Sequence, residues 1–414
     1  MRSLRSFIGH RRTPAGPRAR LSAWAALLLL AASVGCAPPS SEHGVKVMLS
    51  TLVDSGSGND VLRGVRLALD ENGGQAGGYP VELVVVNTLD RDAEEPLSLD
   101  LERGAAERAV ADPSFVAYFG PMASHQAKVS LPILNRASMP QISSSATWPG
   151  LTRAGFGPGE PGIYYPTGSR HFFRLVATDD EQAAAAARWG ADLGFRSAFL
   201  IDNAVAYGRG LSGIFEETAR DLGIEIVGRH SVALNDTGPE MLDQVVKEVG
   251  AAKPELIFYA GGIERRLLDL FRRLHSALPQ VAFIATEGLQ RNEFIEHLGP
   301  EAAEGFRATN IYLPVEEADT DAARRFERRY WETYGEAPQP LAAGSYEAMR
   351  VLLWAIEHAR TPTREAVLEA LQGMGEIEGL TGPLSFDARG DATVQTVSGY
   401  RVVGGRWVFE KVLD

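Results

Sequence analysis

Cysteine is almost absent from this 414-residue sequence, because Cys36 is the only one. One cysteine cannot form an internal disulfide, and it excludes a zinc site with several cysteine ligands. The eight histidines are scattered without the close pairing typical of metal ligands, and no serine lies in a nucleophile-elbow sequence. No catalytic triad can be assembled from the sequence. The sequence therefore predicts that the protein is not an enzyme and needs no metal or cofactor.

Positive charge is scarce outside the first 36 residues. That segment contains six arginines and no acidic residue, and the rest of the chain has 35 basic against 53 acidic residues, a net charge of −18. Such an acidic protein without a basic patch is not expected to bind nucleic acid. Hydrophobic residues make up 45% of the chain and charged residues 23%. This composition is typical of a globular protein, and the length favours two domains.

A long apolar run occurs once, at residues 21–35 directly after the arginines. It is too short to span a bilayer comfortably, but it has the length of an export signal. The letters SVGC that end at Cys36 resemble a bacterial lipobox, in which the cysteine is lipidated, although Ser33 replaces the usual leucine. We therefore expect residues 1–36 to be a lipoprotein signal peptide and residues 37–44 a flexible tether. Cleavage by the ordinary signal peptidase is the alternative, since small residues also suit that enzyme.

From Val45 onwards, short apolar strands alternate with amphipathic helices. This alternation predicts parallel strands with right-handed crossovers. The glycine- and proline-rich segment 152–171 interrupts it, and the pattern restarts at Phe172. The sequence therefore predicts an α/β protein with two doubly wound parallel sheets, ending in a β-meander over residues 382–413.

Several helix starts can be assigned within this pattern. Asp60 is expected to cap one helix, and Asp179 or Asp180 another. The motif G-x-G-x-x-G at residues 208–213 opens a further helix and is typical of dinucleotide binding. Five residues separate it from the preceding strand, and the following strand lacks a terminal acid. We therefore expect an ordinary helix there, without a cofactor.

The stretch from Gly120 to Leu151 holds the densest group of candidate binding residues. The apolar run 115–119 leads into a helix pattern that begins near Ser124, and a second apolar run, 139–142, ends in the letters SSSAT. Each hydroxyl alone is typical of a helix cap or a turn. Ligands of open α/β sheets, however, bind at the C-terminal ends of the strands, and helix N-termini favour anions. Two hydroxyl clusters with free backbone N–H groups on successive strands therefore predict a cradle for a carboxylate.

Glu287 is the corresponding candidate in the second half, since it follows the predicted strand 281–284. If the two halves face each other, its carboxylate can pair with a ligand ammonium in a charge-assisted hydrogen bond. A solvated loop carboxylate or a charge at a helix start is the alternative. Tyr207 lies near an equivalent strand end, where it can close over the ligand.

A series of loosely matching segments also occurs in a specific order: RGVRLALDENGG, GGYPVELVVVN, the stretch 120–147, AYGRGL, FYAGG, TEGL and TGPLSFDARGD. Together they resemble the leucine/isoleucine/valine-binding family of type I periplasmic binding proteins, which serve ABC importers of branched-chain amino acids and related compounds. The similarity covers residues 45–414. It implies two lobes joined by a hinge of three crossovers, with lobe 1 formed by 45–173 and 311–379 and lobe 2 by 174–310 and 380–414.

The resemblance also implies roles for the candidate residues. It implies that Ser124, Ser145 and Thr147 hold the α-carboxylate of an amino acid, and Ala146 is a further expected ligand contact. The α-ammonium falls to Glu287, and Tyr207 belongs to the closing lobe. Branched-chain binders of the family often have aromatic residues where this chain has Ser57 and Ile263, the latter a further expected ligand contact. Leucine is therefore one candidate ligand among related amino acids.

The resemblance implies a monomeric substrate-binding protein that closes its lobes around an amino acid and docks on an ABC permease in the membrane. Its expected location is the periplasm or cell envelope, with a lipid anchor. Three alternatives stay open at this point. They are a lipoprotein sensor or regulator of the same fold with a degenerate cleft, a binder of small amides or carboxylates, and a dehydrogenase-like enzyme.

Overall fold

The computed structural model describes residues 44–90, 97–233, 238–262 and 265–413. Its strands are β1 (Val45–Thr51), β2 (Gln75–Ala76), β3 (Tyr79–Asn87), β4 (Phe115–Phe119), β5 (Gln141–Ser143), β6 (Phe172–Arg174), β7 (Ser197–Asp202), β8 (Glu225–Ser231), β9 (Leu256–Ala260), β10 (Ala282–Ala285), β11 (Arg307–Asn310), β12 (Ile377–Glu378), β13 (Pro383–Leu384), β14 (Val397–Val403) and β15 (Arg406–Leu413). Its helices are α1 (Gly56–Glu71), α2 (Leu99–Ala111), α3 (Ser124–Arg136), α4 (Asp179–Asp192), α5 (Ala206–Asp221), α6 (Pro239–Ala252), α7 (Arg265–Ala277), α8 (Asn292–Leu298), α9 (Pro300–Ala303), α10 (Asp321–Tyr334), α11 (Pro340–His358) and α12 (Arg364–Gln372). The predicted signal peptide with Cys36, and Ile263, lie outside the described residues.

Two large sheets organise the described chain. The first has the strand order β2-β3-β1-β4-β5-β6, and its neighbours are parallel except for the short β2–β3 pair. The second has the order β15-β14-β11-β10-β9-β7-β8, with parallel pairs from β11 to β8 and an antiparallel edge formed by β14 and β15. The predicted α/β fold with two doubly wound lobes is confirmed. We call the part built on the first sheet lobe 1 and the part built on the second sheet lobe 2.

Each face of the second sheet buries its own apolar cluster. Successive residues of β9 belong alternately to the two clusters, as the two-residue period of a strand requires. On one face the rings of Phe215 and Phe258 stack with centroids 3.9 Å apart. On the other face Phe283 and Phe306 stack at 4.2 Å. Helices therefore cover both faces, which is why the parallel strands are apolar along their whole length.

The start of α1 differs from the prediction. The helix begins at Gly56 because the Ser55 hydroxyl caps it by accepting a hydrogen bond from the Gly58 N–H at 2.9 Å. A Cβ at Gly58 would lie 1.8 Å from the Leu52 carbonyl oxygen, so this first turn requires glycine. The predicted cap at Asp60 was wrong. Asp60 is buried one turn into the helix and pairs with Arg291 at 3.2 Å.

Helix α5 begins at Ala206, before the motif G-x-G-x-x-G at residues 208–213, so the glycines lie inside the helix. A Cβ at Gly208 would lie 2.6 Å from the Ala260 carbonyl oxygen. Its glycine therefore allows the helix to approach β9 closely. The motif does not form the turn between strand and helix that cradles a dinucleotide pyrophosphate, in agreement with the expectation of an ordinary helix.

The C-terminal region differs from the predicted meander. β14 and β15 form a hairpin, but β13 pairs with β12 as a separate two-stranded ladder. The prediction that residues 383–386 form a strand of the same meander was therefore wrong. Leu380, Leu384 and Phe386 pack on the core of lobe 1, which keeps this segment away from β14. Pro383 also lacks the N–H that a strand inside a larger sheet would donate.

The chain passes between the two sheets three times, after β6, after β11 and before β14. These connections are bonded to one another. The Arg174 N–H donates to the Gly390 carbonyl at 3.0 Å, and the buried Arg174 guanidinium pairs with the Asp391 carboxylate at 2.7 Å. The Ala177 N–H donates to the Ile311 carbonyl at 3.4 Å. The predicted residue limits of the lobes stay predictions.

The segment 152–171 contains a single short helical turn at residues 162–164. Tyr164 and Tyr165 are buried against residues from α3 and β6. Among the residues that the structure describes, no helix combines the length and the apolar character needed to cross a membrane.

Candidate functional site

The predicted site residues of the two halves meet at the C-terminal edges of both sheets. On the lobe 1 side, α3 starts at Ser124 and the segment after β5 carries Ser145, Ala146 and Thr147. On the lobe 2 side, Tyr207 lies in the first turn of α5, and Glu287 follows β10. The Asp179 N–H donates to the Thr147 carbonyl at 3.1 Å and connects the two sides. The prediction that these residues contact a ligand stays a prediction.

Fewer hydrogen-bond donors are free in the predicted cradle than the sequence indicated. The N–H groups of Ser145 and Ala146 both donate to the Ser143 hydroxyl, at 3.2 and 3.0 Å, so they are not free. The Ser145 hydroxyl donates to a backbone carbonyl at 2.8 Å. The Ser124 hydroxyl accepts a hydrogen bond from the Trp148 N–H at 3.0 Å and keeps its own proton available. Ser124 is therefore the hydroxyl best placed to donate to a carboxylate.

Arg174 fixes the orientation of the peptide group between Ala146 and Thr147. Its buried guanidinium donates to the carbonyls of Ala146 and Trp148 at 3.1 and 2.8 Å. In a trans peptide the C=O and the N–H point in opposite directions. The N–H of Thr147 is therefore directed away from Arg174. Sequence reasoning did not identify Arg174, because its partner Asp391 lies 217 residues away in the chain.

Glu287 is held by two donors from lobe 2. The Tyr207 hydroxyl donates to one carboxylate oxygen at 2.6 Å, and the Gln182 amide donates to the other at 2.5 Å. The same amide lies 2.9 Å from the Thr309 hydroxyl. Burial raises the pKa of Glu287, while the hydrogen bonds from Tyr207 and Gln182 lower it. Tyr207 and Glu287 keep part of their surface exposed, so both can face a ligand in the cleft.

Asp179 is a second carboxylate beside Glu287 that sequence reasoning assigned to a different role. The expected cap was wrong, because α4 starts after Thr178 and has no side-chain cap. Asp179 is instead 1% exposed, and its Oδ1 atom has no hydrogen-bond partner among the described residues. Burial raises its pKa to about 7, the hydroxyl of Thr147 lowers the pKa, and the charge of Glu287 raises it further. Its position at the start of the helix that follows β6 is the signal that could have identified it, because helix starts after parallel strands lie at the binding edge of a sheet.

Within the part of the chain that the structure describes, no cation is dedicated to these two neighbouring carboxylates. Arg174 acts favourably on Asp179, but its guanidinium is already paired with Asp391. Buried carboxylates are costly unless a cation or several donors satisfy them. On the lobe 1 side, the Ser124 hydroxyl and the Thr147 N–H are hydrogen-bond donors, which favour an anion. The arrangement is therefore complementary to a small molecule with an ammonium group beside a carboxylate.

The two lobes are in contact around this site. Arg291 of lobe 2 pairs with Asp60 of lobe 1 at 3.2 Å. The Tyr312 hydroxyl, just after β11, donates to the Ser144 carbonyl. Ser57, one of the positions related to side-chain selectivity, lies in the first turn of α1, whereas Ile263 is outside the described residues.

Two α/β lobes with a polar cleft between their strand ends define a two-lobed ligand-binding protein. A family model described as periplasmic binding protein matches residues 44–406, and the chain belongs to this family. Its members are substrate-binding proteins of transporters located in the periplasm, and they are not enzymes. The predicted family is confirmed, and the dehydrogenase-like alternative is excluded.

Relatives and solved structures agree with this assignment. BraC3, a Leu/Ile/Val-binding protein of Rhizobium johnstonii, is 28% identical over 359 residues, which cover 85% of this chain and 89% of BraC3. The leucine-binding protein LivK of Thermotoga maritima matches with a TM-score of 0.77 and 26% identity, over 89% of this chain and 99% of LivK. A solute-binding protein of R. palustris in complex with benzoate has a TM-score of 0.73 and 17% identity, over 90% of this chain and 96% of that protein. The last similarity concerns the fold alone.

Proposed function

We propose that this protein captures an α-amino acid between its two lobes and delivers it to an ABC permease. The observation that carries the proposal is the unpartnered Oδ1 of buried Asp179 next to Glu287. An α-ammonium bound there has two carboxylates as acceptors. The α-carboxylate of the same molecule then meets the hydroxyl of Ser124 and the N–H of Thr147.

The two carboxylates also discriminate between ligand classes. A simple carboxylic acid would bring a third negative charge to Asp179 and Glu287 without a cation to balance it. An amine without a carboxylate would leave the donors of Ser124 and Thr147 unused. A zwitterion satisfies both walls at once. Binding of a benzoate-like acid, as in the R. palustris protein, is therefore disfavoured in this chain.

A branched-chain or related amino acid is the proposed substrate. BraC3 and LivK, which are named for leucine or for leucine, isoleucine and valine, support this substrate class. Closure follows because a ligand that contacts both lobes stabilises the conformation in which they meet. The proposed location is the periplasm or cell envelope, with Cys36 as the lipid-anchoring residue and a monomer as the functional unit.

A thermal-shift experiment with matched ligands tests the proposal. The protein without residues 1–36 is heated with leucine, with isopentylamine, which lacks the carboxylate, and with 4-methylpentanoate, which lacks the ammonium. A ligand that binds the folded state raises the melting temperature. We expect a shift with leucine or another α-amino acid and none with the two analogues. A shift with 4-methylpentanoate or benzoate would overturn the ammonium assignment, and no shift with any of them would favour a sensor or regulator.

A further inference from the structure

The indole of Trp148 lies against lobe 2, and the residue follows Thr147 directly in the chain. Its ring is partly exposed, and its Cζ3 atom lies 2.8 Å from the point that a Cβ on Gly210 would occupy. Gly210 lies in α5, about one turn beyond Tyr207. The indole of lobe 1 therefore packs directly on the lobe 2 helix that carries the partner of Glu287.

The segment 152–171 holds this indole through Glu160. The Glu160 carboxylate, whose side chain is 5% exposed, accepts a hydrogen bond from Trp148 Nε1 at 2.9 Å and one from the Tyr164 hydroxyl at 2.6 Å. It also pairs with Lys128 Nζ at 2.9 Å. The same ammonium lies 4.8 Å from the centroid of the Trp148 ring, a favourable cation–π distance. A shielded carboxylate with three donors has a defined orientation, and it therefore fixes the indole.

The backbone of Trp148 is fixed as firmly as its ring. Its N–H donates to the Ser124 hydroxyl at 3.0 Å, and its carbonyl accepts a hydrogen bond from Arg174 at 2.8 Å. Ser124 and Lys128 lie one turn apart on α3. The indole is therefore held by the same helix that bounds the proposed carboxylate site. The indole is thus part of the rigid frame of lobe 1 and touches lobe 2 through Gly210.

We propose that Trp148 is a gate that slows release of the amino acid and that Glu160 positions its indole. The inference rests on the proposed function. The indole covers the cleft beside Tyr207 while the lobes are in contact, and it must leave α5 when they separate. Loss of this contact accelerates ligand release more than it slows association, because the indole contacts α5 in the closed complex and not in the open encounter complex. Gly210 has no side chain because any Cβ would push the indole away.

Stopped-flow kinetics with leucine test the proposal in the protein without residues 1–36. We expect Trp148→Ala to raise koff about tenfold with little change in kon, a loss that corresponds to one well-packed aromatic contact. Gly210→Ala and Glu160→Ala should raise koff in the same direction. In the Trp148→Ala background, Glu160→Ala should add nothing, because a positioning residue acts through the group that it positions. An unchanged koff in Trp148→Ala would overturn the gate role of Trp148. Additive effects of Trp148→Ala and Glu160→Ala on koff would overturn the positioning role of Glu160.

A second measurement needs no ligand. Acrylamide quenching of the Trp148 emission, taken as the difference from Trp148→Phe, should increase in Glu160→Ala. Tyr165→Phe is the matched control, because its hydroxyl lies in the same region and bonds the Leu151 carbonyl, whereas the Tyr164 hydroxyl bonds Glu160. Equal quenching in wild type and Glu160→Ala overturns the proposal. If leucine fails to bind the wild type, the amino-acid function loses support, and the quenching result decides the positioning of the indole by itself.

Discussion

Replacing Asp179 by asparagine should make the ligand-free protein more stable and abolish amino-acid binding. The carboxylate is 1% exposed, and its Oδ1 has no partner. It is therefore kept in a costly state that an ammonium would relieve. An asparagine has nearly the same shape without the charge. It removes the cost of burial, but it cannot form the charge-assisted contact.

The size of the effect follows from the pKa of the carboxyl group. Burial raises the pKa of Asp179 from 3.8 to about 7, and each pKa unit corresponds to about 1.4 kcal/mol. Between these two values the folded protein keeps a proton that the unfolded chain has lost, so stability falls as the pH rises through this range. Asp179→Asn removes this loss. We expect it to raise the free energy of unfolding by about 4 kcal/mol at pH 8 and by about 2 kcal/mol at pH 5.

Urea unfolding at the two pH values measures the stability, and calorimetric titration with leucine measures binding. The control is Asp180→Asn at the next position of α4, where the side chain is less buried and pairs with Arg153 at 2.6 Å. That change should leave binding intact and alter stability by less than about 1 kcal/mol. Two results would refute the reasoning. One is wild-type affinity in Asp179→Asn, and the other is an equal pH dependence of stability in Asp179→Asn and the wild type.

Three further predictions concern the same site and its frame. Glu287→Gln should weaken leucine binding about a hundredfold, because it removes one charged partner of the ammonium, and unchanged calorimetric affinity would exclude that role. Wild-type affinity for leucine should fall about tenfold for each pH unit below 7, because the ammonium must displace a proton from Asp179. Titrations between pH 5 and 8 check this, and a flat profile contradicts it. Asp391→Asn should lower the free energy of unfolding by about 3–5 kcal/mol, because it leaves the Arg174 guanidinium buried without its counter-charge. Urea unfolding measures this, and a decrease below about 1 kcal/mol would contradict the prediction.

Local patterns in the sequence were sufficient for the architecture and for placing several candidate site residues at strand ends. Strands such as β4 and β9 are short apolar runs followed by turn residues, so their ends could be placed within one or two residues. Ser124, Thr147 and Glu287 follow such strand ends, and the topology of parallel sheets brings strand ends to one edge. These predictions needed no knowledge of long-range contacts.

The remaining features depend on contacts that a local pattern does not contain. The first residue of a helix can turn its side chain outward as a cap or inward into the protein, and Asp179 turns inward. The pairing of Arg174 with Asp391 and the packing of Trp148 on Gly210 join residues that are far apart in the chain. The separate β12–β13 ladder arises because apolar residues around it prefer the core of lobe 1. Tertiary packing decided each of these cases.

The bonds between the three connections also limit how the lobes can move. Arg174 and Gly390 join the first and third connections through their backbones, and Ala177 and Ile311 join the first and second. Segments that are bonded side by side bend together as one ribbon and resist twisting past each other. We therefore expect the lobes, if they open, to rotate about a single axis that runs across these connections. A substitution in the connections should change how far the lobes open and leave the direction of opening the same.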